Sequence, residues 1–178
     1  VNTKELTVSG ATANDKEYDA DITATISGGT LVGVINSDDV TFTGTGNFDD
    51  PNVGTDKNVT ASFALAGLDA GNYSVLGTSL TADITPKEIT VTGISIDNKE
   101  YDTTSDATIS GTANLSGVLF ADFSNVTLGG TPSAVFNDAS LADNKPVTVS
   151  GYSITGSATG NYTLSQPTGL TANITLRS

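Results

Sequence analysis

A chain of 178 residues has room for one large domain or two small ones, and 37% hydrophobic residues with 6% aromatics give a modest core. The absence of Cys, His, Met and Trp removes disulfides, thiol nucleophiles, cysteine- or histidine-based zinc sites and the usual neutral-pH base. Seven basic against 20 acidic residues leave a formal charge of −13, a field that opposes nucleic acid and anionic membrane, whose recognition needs clustered Lys and Arg.

In chain order, short alternating stretches dominate: "LTVSGATA" from Leu6, "ATISGGTLVGV" from Ala24, "VTFTG" from Val40, "VTASFALAG" from Val59, "YSVLG" from Tyr73 and "LTADIT" from Leu80. Gly, Asn and Asp separate them, the pattern of strands joined by tight turns. No window of a dozen residues keeps the apolar i, i+3, i+4 spacing of a helix, and only "VINSDDV", residues 34–40, is expected to hold one helical turn. About seven strands are then expected before Pro86. No apolar run approaches the ~20 residues of a membrane-spanning helix.

After Pro86 the text begins again. "KELTV" at Lys4 returns as "KEITV" at Lys87, "NDKEYD" at residues 14–19 as "DNKEYD" at 97–102, and "ATIS" at 24–27 as "ATIS" at 107–110. "KNVT", "GNYSV" and "LTADIT" return as "KPVT", "GNYTL" and "LTANIT". The offset grows from 83 between Lys4 and Lys87 to 90 between Leu80 and Leu170, so the second copy holds seven extra residues, expected in loops. Two modules, 1–86 and 87–178, follow. All six lysines fall in register, Lys4 with Lys87, Lys16 with Lys99 and Lys57 with Lys145, and Arg177 stands where a third "PK" would begin. Four of the five tyrosines pair, and Tyr152 aligns with Phe63, whereas the carboxylates drift. The lysines and tyrosines read as structural fixtures.

In "LAGLDAGNYSV", Tyr73 opens a strand with Gly71 two residues before it and Asp69 four before, the spacing of the tyrosine corner of immunoglobulin-like sandwiches. The second copy keeps Gly160 and Tyr162 but has Ala158 for the Asp. The fold class expected is all-β: two tandem small antiparallel β-sandwich modules, with a β-grasp-like module around a short helix as the alternative.

The repeated hexapeptide reads structurally. Tyr18 and Tyr101 are expected to pack their rings in the core, Asp19 and Asp102 to accept backbone N–H groups in a turn, and Lys16 and Lys99 to lay their stems over the sheet.

No catalytic, cofactor-binding or metal residue is assigned. Calcium is the one cofactor weighed: "DDPNVGTDKN", Asp49–Asn58, offers hard oxygen ligands without EF-hand spacing, and "NSDDV", 36–40, is weaker. Chance carboxylate pairs without an aromatic cleft do not make a glycosidase, and an enzyme is not expected. Lys16, Asn72 and an Asp recur as the components of an internal isopeptide bond, with ordinary side-chain pairing as the competing reading. Asn58, Asn72, Asn161 and Asn173 formally begin glycosylation triplets, which Thr- and Asn-rich strands produce by chance.

In order, "KEYD…ATISG…GNY(S/T)…LTA(D/N)ITPKE" resembles the YDG-type tandem repeats, and the related MBG modules, of large bacterial surface adhesins of the filamentous haemagglutinin kind. The likeness spans the chain twice. The Gly that follows Tyr-Asp in that family is Ala20 here and Thr103 in the second copy, residues that argue against a positive φ at this turn. The resemblance implies export to the bacterial cell surface and a stalk that projects a distant binding domain, packed against neighbouring repeats of the same chain. The alternative is that the modules themselves adhere to host protein or glycan, with Phe120 and Phe123 as spare aromatics. Beginning at Val1 rather than Met, the chain reads as a piece of something longer, and "ITPKEIT", with Pro stiffening the join, predicts an extended pair.

Overall fold

The computed structural model describes residues 2–177. The chain divides into two compact units, Val1–Pro86 and Lys87–Ser178. Both are built almost wholly of strands. The only helical pieces among the described residues are three-residue 3-10 turns at Ala70–Asn72, Phe120–Asp122 and Thr159–Asn161, so the β-grasp alternative lacks its helix.

In the first unit β1 (Lys4–Ala13), β2 (Lys16–Glu17), β3 (Thr23–Ala24), β4 (Ile26–Val32), β5 (Thr41–Phe48), β6 (Gly54–Ala66), β7 (Tyr73–Val75) and β8 (Thr78–Thr85) form two sheets. One has the order β4-β1-β7 and the other β2-β8-β6-β5-β3. The second unit repeats this with β9 (Lys87–Ile96), β10 (Lys99–Glu100), β11 (Asp106–Ala107), β12 (Ile109–Ser116), β13 (Thr127–Phe136), β14 (Ala142–Thr155), β15 (Tyr162–Ser165) and β16 (Leu170–Thr175). Its sheets run β12-β9-β15 and β10-β16-β14-β13-β11. The sequence suggests seven strands per copy; the eighth arises because "ATISGGTLVGV" splits at Thr25 into β3 and β4, which serve different sheets.

Alternation drives the burial. Along β6, Val59 and Ala61 point inward and are fully buried while Asn58, Thr60 and Ser62 face water, the period of two that a pleated strand imposes. In the second unit Phe136, Val147, Val149, Ala172 and Ile174 of the large sheet pack with Ile94, Ile96 and Ile109 of the small one. The two layers thus enclose a core in the second unit, and the first unit buries the matching Phe48, Val59, Ala61, Ala82 and Ile84.

The expected sheets were antiparallel, and most ladders are. Two in each unit are not: β1 pairs in parallel with β7 (Lys4 with Tyr73) and β2 with β8 (Lys16 with Ile84), repeated as β9 with β15 and β10 with β16. Alternation reports which face a residue takes and is blind to strand direction, so the parallel pairs were not legible. Some extra residues of the second copy also fall inside strands, as irregularities in β12 between Gly111 and Asn114 and in β13 between Gly130 and Ser133, where a bulge absorbs added residues without moving the core face.

Candidate functional site

The repeated hexapeptide closes each unit on its last strand. β1 keeps its ladder to β4 as far as Asn14, whose N–H donates to Thr25 C=O at 2.9 Å, and the chain then passes to the other sheet as β2. There Asp15 Oδ1 accepts the N–H of Asp83 at 2.7 Å, Lys16 and Glu17 run beside Ile84 and Thr85, and Tyr18 N–H donates to Thr85 C=O at 2.9 Å. Thr85 Oγ1 donates back to Lys16 C=O at 3.3 Å. The second copy makes the same bonds: Asn98 Oδ1 accepts from Asn173 N–H at 2.8 Å, Lys99 and Glu100 pair with Ile174 and Thr175, and Tyr101 N–H reaches Thr175 C=O at 2.9 Å. Asp in one copy and Asn in the other do one job, because the carbonyl-type oxygen they share is the acceptor used. Sequence reasoning missed these two positions, although both recur in register as Asp/Asn exchanges.

Next to this clasp the lysine ammonium is held by the loop that follows it. Lys16 Nζ donates to Asp19 Oδ1 at 2.7 Å, Asp21 C=O at 2.7 Å and Thr23 C=O at 3.1 Å, and lies 5.6 Å from the centroid of the Phe48 ring. Lys99 Nζ reaches Asp102 at 2.8 Å, Thr104 C=O at 3.1 Å, Thr104 Oγ1 at 3.0 Å and Asp106 C=O at 2.9 Å. The hydrogen bond from Lys99, with those from the Thr104 N–H and hydroxyl, holds the Asp102 carboxyl down at about 2. Asp19 and Asp102 accept backbone N–H groups from Asp21 and Thr104, both at 2.9 Å, as turn carboxylates do.

Two expectations at this turn need correction. Ala20 and Thr103 adopt φ of 64° and 72°, so the left-handed turn persists without the glycine that favours it: the lysine cage and the Asx-type bonds on both sides over-determine the backbone. Tyr18 is 4% exposed, but Tyr101 is 41% exposed. Both backbones are bonded alike, so the hexapeptide fixes the strand pairing and not the burial of the ring, which depends on the apolar cover around it.

At the opposite end of β1 stands the tyrosine. Tyr73 OH donates to Asp38 Oδ2 at 2.6 Å and accepts the N–H of Ile35 at 3.1 Å. Tyr162 OH donates to Asp122 Oδ2 at 2.7 Å and accepts from Leu119 N–H at 3.2 Å, with Asp122 only 7% exposed. The hydrogen bond to Asp38 raises the Tyr73 phenol above its ordinary range. The hydroxyl thus ties down a distant loop rather than its own corner. "VINSDDV" forms a turn closed by Asp38 N–H to Ile35 C=O at 3.2 Å, not a helical turn; the 3-10 turn occurs in its counterpart, Phe120–Asp122. Gly67 and Gly156, at φ of 112° and 126°, let this loop close, since a Cβ there would meet Asp39 C=O and Asn125 C=O at 2.2 and 2.1 Å.

The calcium candidate, Asp49–Asn58, already faces a cation. An irregularity in β6 between Gly54 and Lys57, with Asp56 at φ 49°, precedes Lys57, whose Nζ lies 2.7 Å from Asp50 Oδ2 and 3.5 Å from Asp49 Oδ1. The hydrogen bond with Asp50 raises the Lys57 ammonium and lowers the Asp50 carboxyl. Lys145, 5% exposed, repeats this with Asp138 at 2.6 Å, which with Ser140 holds Asp138 far below the usual carboxylate range. Asp56 N–H is instead bonded to Asp83 at 2.8 Å, and among the described residues no group of three or more carboxylates is placed to hold a metal ion. In "NSDDV", Asp38 is engaged by Tyr73 and Asp39 Oδ2 by Leu68 N–H at 3.2 Å.

The isopeptide components are not brought together: Lys16 belongs to the clasp, and Asn72 to the 3-10 turn before Tyr73 at the other end of β1. Of the glycosylation triplets, Asn161 is buried and Asn58 is hydrogen-bonded by Ser79. Phe120 and Phe123, by contrast, are 88% and 62% exposed and meet edge to face at 5.5 Å. A groove of about 420 Å³ in the second unit is lined by Glu88, Thr90, Ser165, Gln166 and Thr168.

What recurs twice is thus a set of internal ties, and the fold and these ties define a duplicated all-β sandwich protein whose repeated motif residues serve their own module. The chain belongs to the YDG domain family, matched at residues 2–82 and again at 85–169. No curated protein matches it, and no solved structure does.

Proposed function

We propose that the two modules are spacer units of a bacterial cell-surface adhesin, exported and carrying a distant binding domain away from the cell. The observation that supports this most is how the repeated residues are used. Lys16, Tyr73, Lys57 and their second-copy partners spend side-chain polar atoms, and Tyr18 and Tyr101 their backbone N–H groups, within their own module, and only Pro86 separates β8 from β9. A unit that satisfies itself and joins its successor through one residue suits serial repetition. The charge of −13 keeps neighbouring stalks apart. The role needs no catalytic group and no cofactor, and neither is part of the proposal.

The test is length. Small-angle scattering should give a maximum dimension near twice that of one module expressed alone; a value near that of one module contradicts the stalk. In the parent protein, deleting both modules should reduce adhesion, and replacing them with unrelated modules of equal length should restore it.

The edge-to-face pair Phe120–Phe123 favours a second reading, in which the second module adheres to host glycan or protein, because two adjacent exposed rings offer an apolar surface that a partner can cover. Binding of this chain to a glycan or host-protein array that disappears in Phe120→Ser/Phe123→Ser supports it, and equal binding by the variant rejects it.

A further inference from the structure

We infer that the hexapeptide is a force-bearing clasp, which sets the rate at which each module opens when the chain is pulled from its ends. The inference deepens the stalk reading, since a spacer that holds a cell to a surface transmits tension along its backbone.

The geometry within the first module carries the argument. β1 begins at Lys4, against the first residue of β7, and runs to Ala13; the chain continues as β2, and β8 ends at Thr85 beside Glu17. The entry and exit of the module therefore lie at opposite ends of one strand path of roughly 40 Å, at ~3.3 Å per residue. Tension draws Lys4 one way and Thr85 the other, along the strand axis. The first and last strands are each held by a parallel neighbour: β1 by β7 over Lys4–Leu6, and β8 by β2 at Ile84 and Thr85.

Along such a line of pull the ladder bonds are loaded side by side, in shear. A hairpin opened from its end gives up its bonds one after another, whereas bonds in shear must fail together, which raises the barrier to forced unfolding. The clasp packs three hydrogen bonds and a strand pairing into a few residues: Asp83 N–H to Asp15 Oδ1, Tyr18 N–H to Thr85 C=O, Thr85 Oγ1 to Lys16 C=O, and the β2–β8 pairing itself. Lys16, caged by Asp19, Asp21 and Thr23, keeps the chain after β2 from peeling away. The second module repeats each of these with Asn98, Lys99, Tyr101 and Thr175. A sequence that writes an awkward hexapeptide twice is writing the part that must not slip.

Asp15 tests this, because its side chain contributes an acceptor and nothing to the core. The two-module chain is pulled from its termini in magnetic tweezers, where each module gives one event and the unaltered module is the internal control. In Asp15→Ala, one of the two events should become at least tenfold faster at constant force, while the other is unchanged and the unloaded unfolding rate in denaturant changes less than twofold. Asp15→Asn should restore the slow event, because Asn98 does this work in the second copy. Should Asp15→Ala fail to fold, Asn98→Ala in the second module gives the same comparison. No change under load, or equal acceleration with and without load, overturns the clasp. So does opening of the wild-type modules at forces no higher than those needed when the load is attached across the ends of β5 and β6. None of these outcomes depends on the length of the pair, so the stalk and the clasp fail separately.

Discussion

Tyr73 and Tyr162 make the same two hydrogen bonds, yet their carboxylate partners differ in burial: Asp122 is 7% exposed, while Asp38 is only half-buried. Removing the hydroxyl leaves the carboxylate and the loop N–H to find other partners, and that is harder where water is absent. Tyr162→Phe should therefore cost about 2 kcal/mol and Tyr73→Phe about half of that, by the usual penalty for an abandoned buried partner. Urea titrations of the two variants check the order; equal losses would place the weight of the bond elsewhere. The lysines make a related point. The ammonium groups of Lys16, Lys57, Lys99 and Lys145 are held by oxygens of the loop beside them, a task that sequence spacing hinted at by keeping these lysines in register while the acids drifted.

At the scale of the element, the turn after Tyr-Asp is the instructive case. Thr103 holds φ of 72° with a β-branched side chain, and Ala20 holds 64°, a region that costs a non-glycine residue about 1–2 kcal/mol. Part of that is returned when a glycine is introduced, because glycine loses more freedom on folding. Thr103→Gly should stabilise the second module by about 1 kcal/mol, and Ala20→Gly by less, as measured by thermal unfolding. A loss of stability in Thr103→Gly would mean that its methyl or hydroxyl is used. The family's glycine was thus a guide to backbone shape even where the letter had changed.

Across the whole molecule, four lysine–carboxylate ties set a pH window. Asp102 is held at about 2, and Asp50, Asp19 and Asp138 are also lowered, against about 3.9 for an unfolded Asp. Groups whose folded values are depressed stabilise above the unfolded value and lose that contribution as pH falls toward the folded one. Stability should hold level from about pH 5 and fall between about pH 4 and 2. Lys57 and Tyr73 are raised, so their contribution is present at neutral pH and is lost only above their ordinary values, near 10. Acidification also relieves the repulsion of the −13 charge, an opposing effect that 0.15 M salt screens beyond about 8 Å. Thermal midpoints against pH at that ionic strength decide between them: a midpoint that rises from pH 5 to 3 would give the repulsion the upper hand.

Letters alone determined the duplication, its boundary near Pro86, the all-β character and the register of lysines and tyrosines, because local alternation, turn residues and repeated words are properties of neighbours along the chain. Only the tertiary structure decided which strands run parallel, that Asp15 and Asn98 reach the last strand of their modules, that Lys57 fills the acidic loop read as a calcium candidate, and that Tyr101 stays exposed where Tyr18 is buried. The parallel pairs and the reach of Asp15 and Asn98 depend on strands dozens of residues away, whereas Lys57 stands in the same ten-residue window as Asp49 and Asp50 and is brought to them by the irregularity in β6. Pairing direction is set by the closing of the sheets, and no short window of sequence contains it.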